Sequence, residues 1–312
     1  MLKKIMIAAL VGGGLVGCGG TSKWEDSKAS RSSDQGFSQS DQSSIINGEL
    51  VGSEEGISRS IVALVIRRGE LVRSFCTATL LSDRLAITAA HCADVFTRAK
   101  VELMFGLAEA SQAAEFRPLV QFVIHKDYVG LSSNSEPQRK QGEHQAPLSN
   151  SVEVLQAYLP KIQEAFGVDH HDLALLKFDG GLPAGYFPAK ISRGDQVADL
   201  SRITLAGFGV TNGQTGTDGG SGQLRKTQVP IAKLQYSSTE FMTDESLSGS
   251  CRGDSGGPAF FQTLGGEIEL VGVTSRGDEK CRFLGIYTYL PAFLSWLNQA
   301  SRALGVDPVA GM

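Results

Sequence analysis

The chain has 312 residues, of which 29 are Lys or Arg and 33 are Asp or Glu, giving a net charge of −4. A mildly acidic chain with no basic stripe does not fit nucleic-acid binding, and without a Cys-x-x-Cys pair or a His-Glu-x-x-His segment no metal site and no cofactor is expected. Hydrophobic residues make up 41%, enough for a sizeable core, and the length allows one or two domains.

The N-terminus reads as an export signal. Lys3 and Lys4 precede an apolar run from Ile5 to Val16. That run is too short to span a bilayer and suits a signal peptide over residues 1–17. Leu15-Val16-Gly17-Cys18 resembles a bacterial lipobox, which implies cleavage before Cys18 and lipidation of its thiol and new amino group. The competing reading is an ordinary signal peptide with an incidental cysteine. Gly19 stands where an aspartate would favour the inner membrane, so the outer membrane is expected in a two-membrane host. From Gly19 to Ser44 the chain is serine-rich, with scattered charges and almost no aliphatic side chains. It buries too little apolar surface to offset its ordering entropy, so residues 18–44 are expected to form a mobile tether or propeptide.

The character changes at Ile45-Ile46-Asn47-Gly48. Short alternating segments then predict antiparallel strands at 61–67, 71–80, 86–89, 101–105, 116–124, 203–207, 228–234 and 269–273. His91 closes the segment Ala-Ile-Thr-Ala-Ala-His-Cys at 86–92. Residues 129–170 interrupt the pattern with a polar first half. In the second half Val152, Leu155, Leu159, Ile162 and Phe166 recur at helical spacing around Pro160, which predicts one or two short helices. Asp172 heads the apolar run His-Asp-Leu-Ala-Leu-Leu-Lys at 171–177.

Residues 251–258 read Cys-Arg-Gly-Asp-Ser-Gly-Gly-Pro, which suits a serine nucleophile on a tight loop. Gly253 lets the backbone turn so that its own N–H and that of Ser255 aim at one spot, as an oxyanion hole requires. Taken alone, the same residues also suit a plain flexible turn. Near the C-terminus Phe293, Trp296, Leu297, Ala300 and Leu304 share one face of a helix predicted to start at Pro291.

The segments at 86–92, 171–177 and 251–258 resemble, in this order, those of the chymotrypsin-like (trypsin-family) serine proteases. Subtilisins and α/β-hydrolases carry the same groups in other orders. The resemblance covers almost all of 45–305, in islands around the insertion at about 129–170, and leaves 306–312 as a tail. It implies an all-β fold of two six-stranded antiparallel β-barrels with a C-terminal helix. It also implies a serine endopeptidase working through an acyl-enzyme, with Ser255 as nucleophile and His91 as general base and then acid. Asp172 would hold the His91 tautomer, and the Gly253 and Ser255 N–H groups would form the oxyanion hole.

By the same resemblance Ile45 is the mature N-terminus, whose ammonium pairs with Asp254, because a buried carboxylate without a partner costs several kcal/mol. The plainer alternative is that Ile45-Ile46 only begins the first strand. Ser43-Ser44 stands where the family usually has Arg or Lys before the cut, so a trypsin-like activator is not implied. Four cysteines besides Cys18 allow three pairings. The resemblance implies Cys76–Cys92 and Cys251–Cys281, and structural bridges need an oxidising compartment.

The family's primary specificity pocket maps to Gly249 at the floor and to Gly277 and Gly285 as walls, with Ser250 also among the implied substrate-binding residues. Ser275-Arg276-Gly277 would offer the strand edge that pairs with substrate. Glycine walls without a floor carboxylate imply a large apolar residue before the scissile bond, unless Asp278 or Glu279 reaches the pocket. Arg276 replaces the aromatic usual there, and Phe208 in Ala206-Gly207-Phe208-Gly209 replaces the usual Trp. The insertion would border the acyl-side subsites.

Expected partners are protein or peptide substrates and, through lipidated Cys18, a membrane. A monomer is expected, either anchored in the outer membrane or released after cleavage at Ser44-Ile45. Two other readings stay open: a catalytically silent binding protein of the same fold, and an esterase using the same three groups. The presence of His91, Asp172, Ser255 and Gly253 together argues against the first.

Overall fold

The computed structural model describes residues 45–109, 111, 113–130, 169–210 and 222–307. Cys18, the tether, Ser43-Ser44 and the helices expected over 152–166 lie outside these residues.

A two-residue strand, β1 (Glu49–Leu50), leads into β2 (Ile61–Arg68), β3 (Leu71–Leu80), β4 (Leu85–Thr88), β5 (Val101–Phe105), β6 (Glu115–Ile124) and β7 (Ala174–Phe178). Strands β2 to β7 close an antiparallel barrel in the order β2-β3-β4-β7-β6-β5. After β8 (Lys190–Ile191) come β9 (Arg202–Gly207), β10 (Arg225–Lys233), β11 (Glu240–Asp244), β12 (Pro258–Gln262), β13 (Ile268–Gly277) and β14 (Leu284–Tyr289). These last six close a second antiparallel barrel, β9-β10-β11-β14-β13-β12, with β1 added on β10 and β8 running parallel to β13. Closure leaves neither barrel an unpaired edge.

The predicted strands coincide with β2, β3, β4, β5, β6, β9, β10 and β13 to within a few residues at their ends. Besides the two-residue β1 and β8, the strands that the alternation did not reveal, β7, β11, β12 and β14, are buried along nearly their whole length. A strand covered on both faces has little polar side to alternate with, so its period-2 signal weakens, although β4 and β5, buried throughout, were still found.

Helix α1 (Leu294–Ala303) follows a 3-10 turn at Leu290–Phe293. The helix predicted from Pro291 therefore begins three residues later, with Pro291 in the first turn, where its missing N–H leaves nothing unpaired. Leu297, Ala300 and Leu304 are buried against the first barrel's core, and Gly305 at φ +65° ends the helix.

Candidate active site

Strands β4 and β7 pair antiparallel with Thr88 opposite Ala174. That register carries the 3-10 turn Ala90–Val95, which follows β4, to the same end as the residues preceding β7. His91 and Asp172 therefore meet although 81 residues separate them. The His91 main-chain N–H donates to Asp172 Oδ1 at 2.9 Å, and its ring Nδ1 lies 2.8 Å from Oδ2. An ionised carboxylate only accepts, so Nδ1 carries the proton and Nε2 is left as the basic nitrogen.

Asp172 is completely buried and takes a third hydrogen bond, from the Ser275 hydroxyl at 2.7 Å. Ser275 sits at a register shift in β13, between Thr274 and Arg276, and such a bulge re-aims a side chain. His171 holds the left-handed φ of +50°, unusual for a residue with a side chain, and the Leu173 N–H folds back onto its carbonyl at 2.8 Å. This tight turn delivers Asp172 to His91.

Burial opposes charge on both groups, yet each favours the other's ionised form. For His91 the Asp172 charge and hydrogen bond, with help from Asp94, outweigh burial and hold the imidazole above its ordinary value. For Asp172 the His91 charge and its hydrogen bonds to His91 and Ser275 outweigh burial and hold the carboxyl below the usual range.

The Ser255 loop is aimed by its own peptide groups. In a trans peptide the N–H points opposite the C=O. The Arg252 carbonyl is held by the Val210 N–H at 2.8 Å, which turns the Gly253 N–H the other way. The Asp254 carbonyl is held by the Gly257 N–H at 2.8 Å, which does the same for Ser255. Neither N–H has an acceptor among the described residues, so both stand available to an incoming oxyanion.

Gly253 has φ +96°, and a Cβ there would lie 2.8 Å from the Gly209 Cα, so glycine is required twice over. Thr77 in β3 ties this loop to the first barrel. Its N–H donates to the Ser255 carbonyl at 2.9 Å, and its hydroxyl donates to the Gly253 carbonyl at 3.1 Å while accepting from the Phe208 N–H at 3.2 Å. Two disulfides brace the same region: Cys76–Cys92 joins β3 to the His91 turn, and Cys251–Cys281 joins the Ser255 loop to the segment before β14.

These loops lie on barrels of one family. Residues 50–297 match the family model described as Trypsin. The chain belongs to the trypsin family. It is 24% identical over 245 residues to a trypsin of the beetle Phaedon cochleariae, covering 72% of this chain and 78% of that one. It is also 24% identical to CLIP domain-containing serine protease B10 of Anopheles gambiae, over 83% of this chain and 70% of that one. Against the proclotting enzyme of Tachypleus tridentatus the identity is again 24%, over 77% of this chain and 62% of that one. Its two disulfides and its family mark this trypsin-family chain as an exported protein.

Asp254 of the trypsin-family chain lies between Gly207 and Gly209, where any Cβ would strike its carboxylate. It accepts from the Gly209 N–H at 2.8 Å and the Cys251 N–H at 2.9 Å. Burial outweighs those bonds and pushes the carboxyl up to about 7. The Ile45 side chain is fully buried in the core of the second barrel. Its φ of +50° is costly for a β-branched residue. Ile46 exchanges main-chain hydrogen bonds with Gly249 at 2.9 and 3.2 Å, seating the segment against the residues before the Ser255 loop.

Ser250, Ser255, Ser275, Arg276, Gly277 and Glu279 line a cleft of about 200 Å³. Arg276 forms two parallel hydrogen bonds to Glu240, at 2.6 and 2.8 Å, and Glu240 is almost completely buried. The Asp278 carboxylate is taken up by its own loop, accepting from the N–H groups of Lys280, Arg282 and Phe283.

The feature that sequence reasoning missed is Glu245, which is buried beneath Ser250. Its residue type and position after β11 look like those of any loop acid, and only the glycines at 249 and 285 hint at space kept for it.

Proposed function

We propose that this trypsin-family protein is a serine endopeptidase that cleaves peptide bonds through an acyl-enzyme. The observation that carries the reading is the pair of His91–Asp172 hydrogen bonds beside a cleft lined by Ser255, with two unengaged N–H groups on the serine's loop. His91 Nε2 removes the Ser255 hydroxyl proton as Oγ attacks the substrate carbonyl, and the oxyanion falls between the Gly253 and Ser255 N–H groups. His91 then gives the proton to the leaving amine. Water repeats the sequence, with His91 as base, and frees the acid and Ser255.

The test is hydrolysis of a mixed fluorogenic peptide library by protein beginning at Ile45. Ser255→Ala and His91→Ala should each lose at least ~10³-fold in rate. Undiminished hydrolysis by Ser255→Ala would sink the assignment. Peptide binding without turnover by the unaltered protein would point to the silent binding protein, and turnover of esters alone to the esterase.

We also propose that Cys18 is lipidated, that residues 18–44 tether the enzyme to a membrane, and that cleavage between Ser44 and Ile45 both frees and activates it. In support, Asp254 is a buried acid with a raised affinity for a proton, a site suited to a new ammonium group. The left-handed Ile45 backbone would lose its strain once the preceding peptide bond is cut. If membrane-bound, unbroken protein hydrolyses peptides as fast as protein beginning at Ile45, the activation proposal fails.

A further inference from the structure

We propose that the Glu245 carboxylate sets the primary specificity, so that the enzyme cleaves after Lys or Arg; this rests on the endopeptidase reading above. Gly249 has no side chain, and a Cβ built there would lie 2.2 Å from Glu245 Oε2. A Cβ built on Gly285, which maps to a wall of the pocket, would lie 2.1 Å from Glu245 Oε1. Glu245 thus fills the space into which side chains at both positions would project. The carboxylate takes the place that a floor side chain would occupy, although the position that maps to the floor is glycine.

The carboxylate is built in, not incidental. It accepts the Ser250 N–H at 2.8 Å, the Thr243 hydroxyl at 2.9 Å and the Tyr287 hydroxyl at 2.5 Å. The Ser250 hydroxyl, which belongs to a cleft-lining residue, sits 3.3 and 3.2 Å from its two oxygens. All of these partners are neutral. Among the described residues no Lys or Arg forms an ion pair with Glu245, and the nearby cleft-lining Arg276 guanidinium is committed to Glu240.

Burial without a counter-charge pushes the Glu245 carboxyl up to about 7, against the pull of its hydrogen bonds. A buried anion held only by neutral donors gains most from a cation brought down the open cleft. A long cationic side chain before the scissile bond supplies one, and a neutral side chain leaves the charge uncompensated. Arg252, Asp278 and Glu279 also line the cleft, but Arg252 and Glu279 are exposed and the half-buried Asp278 carboxylate is held by the N–H groups of its own loop, so water screens these charges more than Glu245.

The test uses protein beginning at Ile45 and one fluorogenic peptide varied only at the residue before the cut: Lys, Arg, Phe, Leu or Ala. Lys or Arg is expected to exceed Phe by roughly 10- to 100-fold in kcat/KM, the range for a hydrogen bond to a charged group. Glu245→Gln should remove most of that ratio, and cooperative unfolding of the variant in urea shows that it is folded. Preference for Phe or Leu in the unaltered protein, or an unchanged ratio in Glu245→Gln, overturns the proposal.

A second arm needs neither turnover nor a change at Glu245. Ser255→Ala protein should bind benzamidine at least ~10-fold more tightly than its neutral isostere benzamide by calorimetry, the lower end of the same range. Equal binding of the two overturns the assignment of Glu245. Charge-selective binding with no peptide hydrolysis by the unaltered protein would uphold the pocket and refute the endopeptidase.

Discussion

Replacing Thr77 by Val should loosen the Ser255 loop more than any other change of similar size outside it. Thr77 is fully buried, and its hydroxyl satisfies two main-chain groups, the Gly253 carbonyl at 3.1 Å and the Phe208 N–H at 3.2 Å. Valine keeps the shape but removes the partner of the buried Phe208 N–H and of the partly buried Gly253 carbonyl. Each unsatisfied buried group costs about 1–3 kcal/mol, so the fold should lose about 2–6 kcal/mol. Thr77→Ser keeps both bonds and removes only a methyl group, at about 1 kcal/mol. Equilibrium unfolding in urea gives the stability change. The rate at which a fluorophosphonate phosphonylates Ser255, with loss of fluoride, reports whether the freed Gly253 carbonyl lets the oxyanion donors drift. Thr77→Val should react slowly and Thr77→Ser close to normally. If Thr77→Val unfolds within 1 kcal/mol of the unaltered protein and is phosphonylated at the same rate, the bridge does not position the loop.

Arg276 and Glu240 offer a related test of buried charge. Arg276→Leu or Glu240→Leu alone should cost about 3–5 kcal/mol by leaving the partner uncompensated, and the double change should cost far less. A double change that costs as much as the two single changes added together in urea unfolding would show that the pair is not coupled. The acidic limb of kcat/KM should lie above pH 6.5, because Asp172 raises the His91 pKa and the charged imidazole cannot act as base. Asp172→Asn should cost on the order of 10⁴-fold in kcat; a limb below pH 6.5 in the unaltered protein contradicts the His91–Asp172 pairing. Asp254 in the unbroken chain has a pKa of about 7 against an ordinary 3.8, about three units at 1.36 kcal/mol each. The unbroken chain should therefore lose about 4 kcal/mol as pH rises from about 4 to 7 on this account. Protein beginning at Ile45 should be spared that loss, because its ammonium favours the ionised acid. Parallel pH dependence of thermal unfolding in the two forms would show that Ile45 does not reach Asp254.

The barrels were most legible where one face of a long strand meets water. The alternation in Leu71–Leu80 and Glu115–Ile124 reflects partly exposed faces, and both strands are found where expected. Strands such as Leu284–Tyr289 carry no such signal, because contacts far apart in sequence bury all but their end residues. His91, Asp172 and Ser255 stood out because their chemistry demands particular neighbours along the chain. The supporting groups did not. Ser275 looked like a substrate-edge residue, yet its hydroxyl binds Asp172, 103 positions away, through a bulge that no local pattern announces. Glu245 was hidden for the same reason: its meaning comes from two glycines on different elements that make room for it.

The decisive measurement is intact mass of protein beginning at Ile45 before and after treatment with a fluorophosphonate. A single adduct is expected, located on Ser255 by peptide mapping, that fails to form in Ser255→Ala and forms far more slowly in His91→Ala. A chain that begins at Ile45, unfolds cooperatively and takes up no adduct at Ser255 would contradict the Ser255 assignment.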